Sequence, residues 1–115
     1  MRRNLWEAIK ETRIDPAVGI GIAKLVESDK VSAHVALVER EVKAHYHKER
    51  DEVYIILRGR GLLRVGDEEF EVKEGDVILI PRGKVHSLKR LGDEPVVLMF
   101  VSSPPFAPEI DRFFV

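Results

Sequence analysis

The chain has 115 residues, of which 44% are hydrophobic and 34% charged, and its formal net charge is −1 at pH 7. This length fits a single domain, 1–115, with one core. Acidic and basic residues are interspersed without a basic stripe, which argues against a nucleic-acid partner, and no apolar run is long enough to span a membrane. No apolar signal segment follows the charged N-terminus, so we expect a cytoplasmic protein.

The first predicted element is a short N-terminal helix. Residues 4–11 have rough helical spacing, with Leu5, Ala8 and Ile9 available for one face. The aspartate and proline at 15–16 would end any continuation of this helix, because a residue before proline disfavours helical backbone.

From Val18 onward the pattern changes to short β-prone runs, separated by turns rich in glycine, proline and aspartate. Eight or more such runs without helical crossovers predict an all-β antiparallel barrel or sandwich, not a parallel α/β sheet. The segment 102–108 contains three prolines, so we expect it to be extended across the barrel surface or over a mouth. The predicted strands cover 18–26, 31–38, 53–57, 62–65, 70–72, 76–80, 84–89 and 95–101.

The chain contains four histidines and no cysteine, so any metal must be bound by imidazole and carboxylate groups. His45 and His47 stand two residues apart in a β-prone stretch, and side chains at that spacing point to one face of a strand. A short turn over 48–51 would return the chain and allow Glu52 to point the same way. His86 follows a Pro-Arg-Gly turn and would add a third imidazole from across the barrel.

These stretches resemble the two sequence motifs of the cupin superfamily, over residues 39–59 and 75–90. Glu39 stands where the first motif begins with glycine, and Arg90 stands where the second ends with asparagine; both departures affect turns or strand ends, not ligands. The tail at 103–106 is similar to that of cupins described as sugar-phosphate isomerase-like. The matching residues are His45, His47, Glu52 and Gly59 in the first motif and Gly75, Pro81, Gly83 and His86 in the second.

The resemblance implies a double-stranded β-helix, or jelly roll, that holds one divalent transition metal through His45, His47, Glu52 and His86. This ligand set suits Fe, Mn, Ni, Cu or Zn and leaves an open position for water or substrate. We therefore expect an enzyme that acts on a small polar molecule, by isomerisation of a sugar-like carbonyl or by iron-type oxidation. The alternative is a non-catalytic module that binds a small sugar or acid in the same barrel.

The candidate residues also have plainer interpretations. The motif histidines can be ordinary surface or half-buried residues, and Glu52 a solvated carboxylate, but their combined spacing favours ligands. The candidate catalytic residues are His34, Tyr54 and Arg58. His34 is either a packed core histidine or a proton-transfer group, and Tyr54 and Arg58 share the strand parity of Glu52. Arg58 can equally lie at the rim and pair with an acid.

The expected partners are a small-molecule ligand and a second copy of the chain. Small barrels have edge strands that need cover. The N-terminal segment and the tail can supply this cover by pairing with another copy, so we expect a homodimer.

Overall fold

The computed structural model describes all 115 residues, and its only helix lies near the N-terminus. This helix, α1 (Leu5–Glu11), begins after Asn4, whose side-chain oxygen accepts a hydrogen bond from the Glu7 amide at 3.0 Å. Thr12 ends it, with its amide bonded to the Ala8 carbonyl at 3.0 Å. The predicted helix is therefore confirmed. No helix has the length and apolar character needed to cross a membrane.

Ten strands follow, and all their pairings are antiparallel. Each of the eight predicted strands is present, with ends that differ by a few residues. The two strands without predicted bounds are the third and the tenth. The strands are β1 (Ile20–Glu27), β2 (Ser32–Val38), β3 (Glu41–Tyr46), β4 (Asp51–Arg58), β5 (Arg60–Val65), β6 (Glu68–Lys73), β7 (Val77–Ile80), β8 (His86–Arg90), β9 (Val96–Ser103) and β10 (Phe113–Phe114).

The strands form two five-stranded sheets, which confirms the antiparallel all-β prediction. The strand order is β1-β2-β9-β4-β7 in the first sheet and β10-β3-β8-β5-β6 in the second. The pattern of β4 shows how the sheets pack, because Glu52, Tyr54 and Ile56 are buried on alternate positions while their neighbours are only half-buried. Burying a large aliphatic side chain such as Ile56 contributes about 1.5–3 kcal/mol. The main core contains Val38, Ile56, Leu63, Ile80, Leu88, Val96 and Leu98, among others.

The helix and the tail both pack on their own chain. Ala8 of α1 lies with Leu25, Val35 and Val97 in a second apolar cluster, which covers part of the first sheet. After β9 the chain turns back, and β10 pairs with the end of β3, so that Phe114 lies opposite His45. The tail thus covers an edge of its own barrel, and the homodimer remains a prediction.

Candidate metal centre

Three imidazoles meet at one end of the second sheet. His45 lies on β3, after a register shift between Val42 and His45 in the pairing of β3 with β8. Such a shift re-aims side chains, so Val42 packs against the core while His45 is also buried. His47 follows the last residue of β3, and His86 opens β8 directly opposite His45. The third imidazole therefore comes from the neighbouring strand of the same sheet, and our expectation that it comes from across the barrel was wrong.

Backbone carbonyls orient all three rings. The Nδ1 atoms of His45, His86 and His47 lie 2.7, 3.0 and 2.5 Å from the carbonyl oxygens of Lys43, Lys84 and Asp111. Because a carbonyl only accepts hydrogen bonds, each Nδ1 is the protonated nitrogen and each Nε2 carries a lone pair. One ligand atom from each histidine lies within 4.8 Å of those of the other two.

Glu52 supplies a carboxylate from the opposite sheet. Its Oε1 lies 3.5 Å from Nε2 of His47 and 3.6 Å from Nε2 of His86. These distances are too long for good hydrogen bonds, and both Nε2 atoms are buried without any hydrogen-bond partner. Buried polar atoms rarely go unsatisfied. A divalent cation among the three Nε2 atoms and Oε1 would satisfy them, so the residues present fit the metal that the motifs imply.

The electrostatics keep the site ready for a cation. Burial, reinforced by the neighbouring His86, lowers the pKa of His45 to about 4, so this ring is neutral at pH 7. Burial alone would raise the pKa of Glu52, but the adjacent His47 and His86 outweigh it and lower that pKa to about 2. His47 is the exception: burial is outweighed by Glu52, which raises its pKa, so a cation that binds here competes with a proton at this ring more strongly than at His45. Neutral imidazole and ionised carboxylate are the forms that bind metal.

A buried ion pair connects the loop after His47 to the C-terminal segment 104–111. Nε of Arg50 lies 2.7 Å from Oδ2 of Asp111, and both side chains are only 5% exposed. The Asp111 carboxylate also accepts the amides of Lys48 at 2.8 Å and Glu49 at 3.1 Å, and Arg50 donates to the carbonyls of Pro104 and Pro105. Burial would raise the pKa of Asp111, but Arg50 and these amides lower it.

The sequence-based reasoning did not find Arg50 and Asp111. Asp111 contacts His47 through its main-chain carbonyl, which any residue possesses, and the two positions are 64 residues apart. The Gly83 amide also donates to the His47 carbonyl, at 2.6 Å, so the second motif helps to position a ligand of the first. Gly83 has a φ of +81°, which explains why that turn requires glycine.

Tyr54 lies beside the cluster, whereas His34 lies among aromatic rings. The Tyr54 ring is 6.2 Å from that of His86, and burial raises the pKa of its hydroxyl well above 10. The His34 ring stacks on Phe100 at 4.8 Å and contacts Phe106 at 5.1 Å, and its Nε2 lies 2.8 Å from the Ser32 hydroxyl. Burial lowers the pKa of His34, so the ring is neutral, as expected of a packed core histidine.

The structure does not bring Arg58 to the cluster. The register between β4 and β9 shifts between Ile56 and Arg58, so the strand parity that relates Arg58 to Glu52 is lost. The Arg58 side chain is exposed, and its guanidinium carbon lies 5.8 Å from the centre of the Trp6 ring on α1. The expectation that Arg58 contacts a bound anion beside the metal ligands was therefore wrong.

A groove of about 1070 Å³ leads from solvent to this site. It lies on the open side of the barrel, between β1 at the edge of one sheet and β3 with β10 at the edge of the other. His45 is part of the wall of this groove. His47, His86 and Glu52 do not line it. A small molecule in the groove would therefore meet the cluster at His45.

Sequence relatives and solved structures agree with this description. An uncharacterized protein of Methanocaldococcus jannaschii is 30% identical over 106 residues, which are 92% of this chain and 70% of the relative. The gentisate 1,2-dioxygenase of a Haloferax species is 30% identical over 76 residues, which are 66% of this chain but only 21% of that enzyme.

The cupin domain of Schizosaccharomyces pombe Cnp3 has a similar structure, with a TM-score of 0.71 and 25% sequence identity. The similarity covers 74% of this chain and 64% of that one, so this chain spans somewhat less than two thirds of it. The protein family described as "Cupin domain" matches residues 33–102 of this chain, and this range contains all four candidate ligands. The chain therefore belongs to the cupin family.

Proposed function

We propose that this protein is a metal-dependent enzyme that acts on a small polar molecule at a mononuclear site of three histidines and one glutamate. One observation carries the proposal: the Nε2 atoms of His47 and His86 are buried without a partner beside the Glu52 carboxylate. An arrangement of this kind costs free energy in a protein that never binds a cation, because each unsatisfied group loses its hydration.

The residues around the ligands would bind and orient the substrate. A bound divalent metal would supply Lewis acidity that polarises an oxygen of the substrate. Burial raises the pKa of the Tyr54 hydroxyl well above 10, so it keeps its proton, and we assign it the role of a hydrogen-bond donor that orients the substrate. The buried ring of Phe100 and the partly buried ring of Phe106 shield the interior beside His47 from water. His34 shapes this wall, since its Nε2 is engaged by Ser32.

Of the two reaction classes expected from the sequence, the comparisons favour oxidation. A gentisate 1,2-dioxygenase shares 30% identity with 66% of the chain. The matched region is only 21% of that enzyme, and the tail at 103–106 resembles that of isomerase-like cupins, so isomerisation stays the second candidate. We therefore propose oxidation of a small ligand with dioxygen as the oxidant, on the iron-loaded protein, as the first activity to test, and isomerisation, which needs no oxidant, as the second.

The first experiment measures metal content and turnover together. Protein purified without added metal is analysed for its elements, stripped with a chelator, and reloaded with Fe, Mn, Ni, Cu or Zn at one equivalent. We expect a stoichiometry of one ion per chain and an activity that chelation removes and one particular metal restores. Ligand binding that persists after chelation, with no turnover for any metal, would make the protein a non-catalytic binding module.

We also propose that the protein forms a homodimer through β7. This strand has a neighbour, β4, on one side only, and its Val77 and Leu79 side chains are 66% and 59% exposed. Exposed apolar edge strands are usually covered in native proteins. Antiparallel pairing of two β7 strands about Ile78 would place Val77 opposite the partner subunit's Leu79, so that the exposed apolar side chains cover each other. Light scattering should give twice the chain mass, and Leu79→Lys should give the monomer mass.

A further inference from the structure

The groove beside His45 has apolar walls. Ile20 and Ile22 of β1 face Val42 of β3 and Phe114 of β10 across it. Ile22 and Phe114 are 45% and 60% exposed, and the Phe114 ring lies 5.9 Å from the His45 ring. These side chains remain uncovered because the two sheets separate at this side, where each ends in an edge strand. The walls suit a ligand with an apolar body.

The rim of the groove is positively charged. Five basic and three acidic residues line it, although the whole chain has a net charge of −1. Arg40 and Arg90 are tied to main-chain carbonyls, so they have structural roles. Lys43 and Lys89 have no ion-pair partner within 4.0 Å, and the Arg112 guanidinium lies over the Phe114 ring at 5.1 Å. Glu41 lies opposite Lys89 in the pairing of β3 with β8, but none of these three cations is held in an ion pair, so they are available to an anion.

We propose that this groove binds a small carboxylate with an apolar body and holds it beside the metal centre. The inference rests on the proposed function and specifies its substrate class. A carboxylate would meet Lys43, Lys89 and Arg112 at the rim, while the apolar body would displace water from Ile22 and Phe114. A sugar fits less well, because its hydroxyls would lose hydration against the apolar walls without gaining partners there.

Fluorine NMR with 4-fluorobenzoate tests the ligand class on the zinc-loaded protein. We expect saturable binding of 4-fluorobenzoate and much weaker competition by acetate, which lacks the apolar body, and by benzyl alcohol, which lacks the charge. Raising the NaCl concentration should weaken the binding, because the cations lie at the surface. Equal competition by benzyl alcohol, or stronger competition by glucose 6-phosphate, would overturn the proposal.

Substitutions at the rim test the location. Lys89→Gln and Arg112→Gln should each weaken 4-fluorobenzoate binding by about two- to fivefold, and the double variant by about tenfold. The matched control is Lys73→Gln on β6, an exposed lysine outside the groove, which should bind as the unchanged protein does. If both single variants and the double variant bind 4-fluorobenzoate as well as Lys73→Gln does, the groove is not the site. Thermal melting of each variant verifies that it is folded.

Manganese in place of zinc separates this inference from the proposed function. If the groove leads to the metal, paramagnetic broadening of the fluorine signal should appear in the manganese-loaded protein alone. Suppose that the protein binds 4-fluorobenzoate through Lys89 and contains manganese, yet shows no broadening of the fluorine signal. That result would overturn the placement of the ligand beside the metal. Protein that takes up no metal but still needs Lys89 to bind 4-fluorobenzoate would contradict the proposed function while supporting the carboxylate site.

Discussion

The two motif stretches and the C-terminal segment 104–111 contact opposite sides of the same imidazole. The motifs place Nε2 of His47 beside the Glu52 carboxylate, whereas the tail binds Nδ1 of His47 through the Asp111 carbonyl. The motifs therefore determine which atoms can bind a metal, and the tail determines how one of them is oriented. The metal-binding role can be recognised from the residue types. The orienting role cannot, because it depends on a main-chain carbonyl that every residue has.

This comparison separates two kinds of support for His47. Each candidate ligand side chain can be replaced without removing the ion pair that holds the tail. The tail is different, because its Asp111 carboxylate also neutralises the buried Arg50 and satisfies two amides. A substitution in the tail should therefore affect stability as well as metal affinity, and the following experiments distinguish these two effects.

The largest effect is expected from loss of a ligand. His86→Ala removes one of the three imidazoles, so metal affinity should fall by more than about 100-fold, beyond the range for residues that only support a ligand. Competition titration with a chelating indicator measures this change. His34→Ala is the matched control, because His34 is also buried but binds Ser32 instead of facing the cluster. Equal losses in the two variants would contradict the ligand assignment.

The next effect concerns stability. Asp111→Ala leaves the buried Arg50 charge without its partner, which should lower the free energy of unfolding of the metal-free protein by about 3–5 kcal/mol. Urea denaturation followed by circular dichroism measures this value. Asp67→Ala, at an exposed turn position, should change it by less than about 0.5 kcal/mol. A loss below about 1 kcal/mol for Asp111→Ala would show that the ion pair does not secure the tail.

A smaller effect is expected on metal affinity when the tail is altered more gently. Asp111→Asn retains the shape of the side chain and the carbonyl near His47 but loses the charge that binds Arg50. We expect metal affinity about tenfold lower, the low end of the range for partners of ligating histidines, because the tail that carries this carbonyl is held less firmly without the Arg50 ion pair. The measurement is the same chelator competition, made without urea at a temperature where the variant is folded. Asp67→Asn is the control, and equal affinities for both variants would exclude an orienting role for the tail.

Much of the fold, and the convergence of the candidate ligands, could be predicted from the sequence, because both depend on local patterns. Short β-prone runs between turns predicted eight strands, and two spaced motifs predicted which histidines converge. The errors arose where a local pattern is interrupted or where distant segments meet. A register shift after Ile56 removed Arg58 from the face of Glu52, and no pattern in single residues indicates such a shift. The contact of Asp111 with His47 depends on the path of the folded tail.

The smallest effect is expected at Arg58, and it tests the conclusion that Arg58 does not contact the ligand. The Arg58 guanidinium lies 5.8 Å from the Trp6 ring, so Arg58→Ala should remove one exposed cation–π contact and cost about 0.5–1 kcal/mol of unfolding free energy. Metal affinity and 4-fluorobenzoate binding should stay unchanged, because the side chain is remote from both the ligands and the groove. Arg64→Ala, at an exposed position of β5 with no aromatic contact, should cost less. Weaker 4-fluorobenzoate binding in Arg58→Ala, but not in Arg64→Ala, would mean that Arg58 reaches the ligand after all and that the strand parity from Glu52 is the better guide.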